Sequence, residues 1–207
     1  MKDKIDRRQA RTKMLLRNAL IELIEERGLE GLTVTDITNR ADVNRGTFYL
    51  HYRDAPDMLQ MVKEEVFESV YRLMRQIDIV ELIGYADRDE AYPKAVIIME
   101  EFKRNGDFFK VMFGPKGDPS YALRVKEVMR EHIASRLALL QPKDEDMLVP
   151  RDYLLAYITS AHLGILTHWI TSGMREAPED IALMITRLIN HGPLTSTGLR
   201  NQSQVMA

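Results

Sequence analysis

Residues 44–52 read Asn-Arg-Gly-Thr-Phe-Tyr-Leu-His-Tyr, a mixture that a helix built only for packing does not need. Gly46 costs about 1 kcal/mol against alanine in a helix interior. Near a helix start, however, it lets the backbone come close to another surface, such as a phosphate or a base edge. The groups around it suit such a surface. Arg45 can bond a guanine edge or a phosphate, and Thr47 can donate to phosphate or touch a thymine methyl. Tyr49, His51 and Tyr52 offer polar tips at the far end, while Phe48 and Leu50 are expected to point inward against Ile37, Ala41 and Val43. The chemistry on offer is recognition of a nucleic acid rather than bond making or breaking.

Two short capped helices must hold these groups. Thr33 can cap a helix running to about Arg40, with Asp36 three residues on completing a capping box. Asn44 can cap the next, over about 45–51, and Ala41-Asp42-Val43 forms the tight turn between them. That is a helix-turn-helix. Ahead of it, Leu16, Ala19, Leu20, Leu23 and Ile24 share one face of a helix over about 7–27, which Gly28 is placed to end. Behind it, Asp54 caps a helix to about Gln76, with Pro56 in its first turn. Charge is unevenly spread. Residues 1–53 hold eleven Lys/Arg against eight Asp/Glu, and the rest of the chain holds eighteen against twenty-three. A basic end on an acidic body suits a molecule that meets a polyanion at that end; a solvated N-terminal arm gives the same pattern.

Thr33 through Leu59 resembles the N-terminal domain of TetR-type regulators. The shared pattern is a Thr opening the second helix, an Ile and an Ala inside it, then Val-x-x-Gly-Thr-Phe-Tyr-x-His-Tyr, here Val43 to Tyr52. The run from Gly164-Ile165-Leu166 to Trp169, then Ser172-Gly173-Met174 and Pro178-Glu179, is similar to the subgroup that includes a dihydroxyacetone-kinase operon regulator. The resemblance implies that Thr33, Thr35, Arg45, Gly46, Thr47, Tyr49, His51 and Tyr52 face DNA or its phosphates, with Asn44 and Arg53 flanking them. For Thr33, capping alone, DNA contact, or both remain open; Tyr49 and His51 either face DNA or pack within the domain. At Ala55 the family usually has a Lys that holds a phosphate; Arg53 or the bare helix N-terminus can substitute.

The remaining chain also reads as helices, at about 90–104, 107–113, 119–140, 150–172 and 178–191, giving an all-α fold of about nine helices. The expected organisation is a DNA-binding helix-turn-helix domain over 1–53, a ligand-binding and dimerisation bundle over 54–191, and a disordered tail over 192–207. Helices 150–172 and 178–191 are apolar on more than one side, which leaves one side for a partner. Tyr157, Ile158, Ala161, Ile165, Ile181, Met184, Ile185 and Leu188 are the candidate homodimer contacts, and a two-fold dimer fits a palindromic operator on double-stranded DNA. Met99, Phe102, Phe109, Phe113, Tyr153, His162, His168 and Trp169 are candidate pocket liners, or plain core.

Several function classes fall away. With no cysteine, disulfides and thiolate chemistry are excluded. His162 and His168 share no helical face well, His132 and His191 stand alone, and no two histidines sit at i, i+4, so no metal or cofactor is expected. There is no Ser elbow or Gly-rich phosphate loop, and Gly114-Pro115-Lys116-Gly117 lacks the phosphate-loop spacing, so the chain is not read as an enzyme. No apolar run reaches the ~20 residues of a membrane span and no secretory signal opens the chain, so a cytoplasmic location without a membrane partner is expected. The resemblance implies a regulator, a repressor by the habit of the family, whose operator affinity a small molecule controls. The alternative is a helical interaction protein, or a regulator partnered by a protein effector.

Overall fold

A computed structural model of the protein describes residues 2–141 and 143–198, with side chains from residue 7. Among the described residues there are ten α-helices and no strand: α1 (Lys2–Arg27), α2 (Val34–Ala41), α3 (Arg45–Phe48), α4 (Ala55–Met74), α5 (Ile79–Asp87), α6 (Pro93–Arg104), α7 (Gly106–Phe113), α8 (Pro119–Leu140), α9 (Arg151–Thr171) and α10 (Pro178–Ser196). The all-α class is as expected. None of these helices is long and apolar enough to cross a membrane. The sequence reading sets the boundary between its two folded domains after residue 53, whereas the compact units interleave along the chain. The first takes Met1–Glu68 and Asp107–Ala122, the second Ser69–Gly106 and Leu123–Ala207.

In the first unit, the stripe Leu16, Ala19, Leu20, Leu23 and Ile24 of α1 is buried together with Ile37 and Phe48. Full burial of each large apolar side chain contributes about 1.5–3 kcal/mol, so this stripe fixes α2 against α1, and α3 packs on α2. The loop after α7 does structural work. The Lys116 ammonium donates to the carbonyls of Glu25 (3.1 Å) and Glu26 (2.7 Å). Carbonyls at a helix C-terminus lack intrahelical partners and favour a cation, so Lys116 closes α1. Tyr121 stacks edge-on against Phe67 and Phe108, and its hydroxyl donates to the Lys63 carbonyl at 3.0 Å.

In the second unit, α10 packs against α5 and α6. The Arg187 guanidinium holds Asp89 through two 2.7 Å bonds, and the Asn190 amide donates to the Ala86 carbonyl. Helix α5 is absent from the sequence reading. Its signal is Asp78, whose carboxylate accepts from the backbone N–H of Val80 (2.9 Å) and Glu81 (3.2 Å). Those bonds hold the Asp78 carboxyl below its ordinary range. The acidic link between α8 and α9 forms a short 3-10 turn at Asp144–Asp146. Helix α10 breaks at Gly192 (φ 68°, ψ 168°), a backbone region that essentially only glycine enters, and Pro193 opens a further helical turn to Ser196. The expected tail thus begins as helix, and residues 199–207 lie outside the described residues.

Candidate nucleic-acid interface

Local bonds set the geometry of the α2–α3 pair. The Thr33 hydroxyl accepts from the Asp36 N–H (3.2 Å) and donates to Asp36 Oδ2 (2.6 Å), while the Thr33 N–H donates to the same oxygen (3.0 Å). This is the full capping box, and it keeps the Asp36 carboxyl below its ordinary range. Asp42 turns the chain in the left-handed region (φ 51°), which a short polar side chain tolerates, and its N–H returns to the Asn39 and Thr38 carbonyls. Asn44 Oδ1 then accepts from the Gly46 N–H at 2.7 Å and starts α3.

Helix α3 has only four residues, and residues 49–51 follow as a turn rather than as the expected helix to 51. Phe48, fully buried, anchors it. Arg45 and Tyr49 stand one turn apart on the exposed side, with Arg45 Nη2 donating to the Tyr49 hydroxyl at 3.3 Å. Gly46, Asn44, Thr33 and Thr35 are exposed and Thr47 is half-buried. A Cβ on Gly46 would meet Asn44 Oδ1 at 3.2 Å; no other atom comes within 4 Å outside its immediate neighbours. A side chain here would crowd the Asn44 cap oxygen, and the rest of the position is open to the outer surface.

Two residues are placed otherwise than expected. Leu50 is 78% exposed, not inward. Two residues along a helix turn the chain by roughly 200°, so Leu50 must oppose Phe48, and the inward partner is the residue one turn on. That residue is Tyr52, 6% exposed, with its ring 5.5 Å from Phe48. Burial raises the Tyr52 hydroxyl pKa. His51 is half-buried, and burial, then the charge of Lys13, lowers its pKa, so it is neutral at neutral pH. The sequence reading missed Leu50 as an outer residue, although its spacing from Phe48 carries that signal.

At the start of α4, Asp54 Oδ1 accepts the Asp57 N–H at 2.8 Å. Asp57 in turn holds Arg53 by three bonds: from Nε (3.0 Å) and Nη2 (2.7 Å) to Oδ1, and from the backbone N–H (2.9 Å) to Oδ2. Ala55 is buried. A lysine there would have to lead its stem out of packed surroundings, whereas Arg53 is already outside. Arg7, Arg8, Arg11 and Lys13 lie exposed along α1.

The sequence matches the family profile described as "Bacterial regulatory proteins, tetR family" over residues 16–60, and "Transcriptional regulator C-terminal region" over residues 89–191. The chain belongs to the TetR family. It is a DNA-binding transcription regulator with a helix-turn-helix, not an enzyme. It is 35% identical over 71 residues to the HTH-type transcriptional regulator YxbF of Bacillus subtilis (strain 168), a stretch that is 33% of this chain and 19% of that protein. A TetR transcriptional regulator from Streptococcus agalactiae 2603V is similar in structure, at 23% identity and a TM-score of 0.56, over 91% of this chain and 99% of that one. The dihydroxyacetone kinase operon activator DhaS is similar at 16% identity and a TM-score of 0.53, over 86% and 93%. These structural likenesses carry the fold.

The second unit of this TetR-family chain holds a partly open apolar cavity of about 210 Å³. Of the expected liners, Met99, Phe102 and His162 are on its wall. Phe109 and Phe113 are not; their rings stack on one another at 5.5 Å in the first unit. Trp169 is core, its indole N–H donating to the Glu176 carbonyl at 3.2 Å, and Tyr153 and His168 are exposed. His132, which stands alone in sequence, lines the same cavity as His162, because α8 and α9 bring them to one wall. The expected dimer residues also divide. Tyr157, Ala161, Met184 and Leu188 are exposed and Ile165 is half-buried. Ile158 and Ile185 line the cavity and Ile181 is buried. A helix apolar nearly all round does not reveal its rotation, so the inner and outer stripes could not be separated by spacing alone.

Proposed function

We propose that this TetR-family regulator is a homodimeric repressor that reads a palindromic operator with α3 and releases it when a small molecule fills the cavity of the second unit. The observation that carries the reading of DNA is the exposed Arg45–Tyr49 face beside the exposed Gly46. In this reading Arg45, Thr47 and Tyr49 meet base edges and nearby phosphates, and Thr33, Thr35, Asn44 and Gly46 approach the backbone. Leu50 adds an apolar contact of the kind thymine methyls accept. Arg53 serves a phosphate in place of the family lysine, His51 stands close by, and Tyr52 supports the surface from within.

The exposed strip Tyr157, Ala161, Met184 and Leu188 supports a two-fold dimer. One helix, α4, holds Ala55 next to the reading segment and ends at Met74 on the cavity wall. A ligand that favours one setting of this helix shifts the population of DNA-competent molecules, and couplings of about 1–3 kcal/mol change affinity roughly 5–150-fold. The regulator acts in the cytoplasm, where its operator is. Binding of the purified protein to DNA flanking its own gene, across a salt series and alongside Arg45→Ala and Thr47→Ala, tests the reading. Tight binding to one short site that weakens with salt and is lost in the variants is the expected result. Equal weak binding to every fragment, unchanged in the variants, defeats it.

A further inference from the structure

The cavity wall has a one-sided chemistry. Among the described residues no Asp, Glu, Lys or Arg lines it, and most of its lining side chains are aliphatic, aromatic or thioether. Its polar side chains are Tyr92, Thr186, His132 and His162, and each donor among them is committed. The Tyr92 hydroxyl donates to Glu81 Oε2 at 2.7 Å and the Thr186 hydroxyl to the Ala182 carbonyl at 2.9 Å. His162 Nδ1 lies 2.6 Å from the Ile158 carbonyl and His132 Nε2 lies 3.0 Å from the Ile77 carbonyl. A carbonyl only accepts, so in each ring that nitrogen carries the hydrogen. In the neutral ring the other nitrogen is then a lone-pair acceptor. Burial lowers the His162 pKa and so keeps that ring neutral. The donors of Tyr92 and Thr186 are thus spent, and where a cavity histidine is neutral its second nitrogen is an acceptor.

A carboxylate or phosphate entering here would lose its water, meet lone pairs and find no counter-charge, which is among the costliest burials. A hydrocarbon would fit but leave the acceptors unsatisfied. Size narrows the choice further. A cavity of ~150 Å³ lined by aliphatic and aromatic groups takes benzene, so about 210 Å³ suits one fused ring pair of roughly ten non-hydrogen atoms.

We propose that this cavity selects a compact, neutral, largely apolar molecule that presents a hydroxyl or N–H donor to the free ring nitrogens of His162 and His132, and that it rejects anions of the same shape. This deepens the ligand-controlled reading above and rests on it. The test compares 2-naphthol, naphthalene and 2-naphthoate, with stearoyl-CoA as a long anionic probe, by calorimetric binding to the full chain and by release of operator DNA. The expected result is that 2-naphthol binds at least tenfold tighter than naphthalene and that both anions fail to bind. In His162→Leu and, separately, His132→Leu, the naphthol preference shrinks while naphthalene still binds. Retained naphthalene binding also shows that the variant has folded. Binding of either anion as tightly as 2-naphthol, a preference unchanged in both variants, or binding of no neutral probe to the wild-type chain overturns the proposal. Naphthol binding without operator release keeps the cavity chemistry and defeats the ligand-controlled reading. Operator release by an anion does the reverse.

Discussion

At the scale of single residues, the most informative pair is Arg53 and Asp57. The guanidinium that stands in for the family lysine is held by a carboxylate, which fixes its direction and cancels much of its charge. Asp57→Asn keeps an acceptor but removes the charge. It is expected to tighten operator binding severalfold and to steepen the slope of log affinity against log salt by up to about 0.9, the value of one added phosphate contact. Fluorescence anisotropy over a salt series reads both, and an unchanged slope shows that Arg53 makes no phosphate contact. His51 gives a second prediction. Its pKa is lowered in the free protein by burial and by Lys13, whereas DNA phosphates favour the imidazolium. Binding then takes up a proton, so affinity rises as pH falls between about 8 and about 5, and His51→Gln flattens that dependence. A wild-type profile as flat as the variant's would place His51 away from phosphate. The outward residues Arg45, Gly46 and Tyr49 were legible because their types are expensive or odd in a packed helix. Leu50 was not, because an apolar side chain reads as core until its angle from Phe48 is counted.

At the scale of elements, capping was the readable signal. Thr33 with Asp36, Asn44 and Asp54 each start a helix where the sequence put one, and Asp78 starts the helix that was overlooked. The overlooked helix α5 is short, and its exposed Val80 and Ile83 blur the polar face that a periodic pattern needs. The capping box also gives a clean experiment. Thr33→Ala is expected to lower stability by about 1 kcal/mol, while Thr33→Ser, which keeps the hydroxyl, restores it. Urea melts give the stability and anisotropy gives operator affinity. If Ser restores stability but not affinity, the threonine methyl itself meets DNA; if both return together, Thr33 acts through the cap.

At the scale of the whole molecule, the uneven charge and helical periodicity gave the class and the DNA-reading end. The return of Asp107–Ala122 to the first unit was not legible, because it rests on pairings far apart in sequence such as Lys116 with Glu25 and Tyr121 with Lys63. Assembly belongs to this scale too. Tyr157→Glu together with Met184→Glu places charges on the exposed strip without touching the cavity wall. The double variant is expected to sediment as a monomer and to lose at least tenfold in operator affinity while keeping its helix content. A dimer that survives both changes would move the interface elsewhere.

The two cavity histidines meet backbone carbonyls through opposite nitrogens, His162 through Nδ1 and His132 through Nε2. The two tautomers have distinct nitrogen resonances, so each ring is a separately addressable spectroscopic label placed by the sequence itself. A guest that donates to one ring would shift the unprotonated nitrogen of that ring and leave the other as an internal standard. The protein thus reports which wall its ligand leans on, without any added dye.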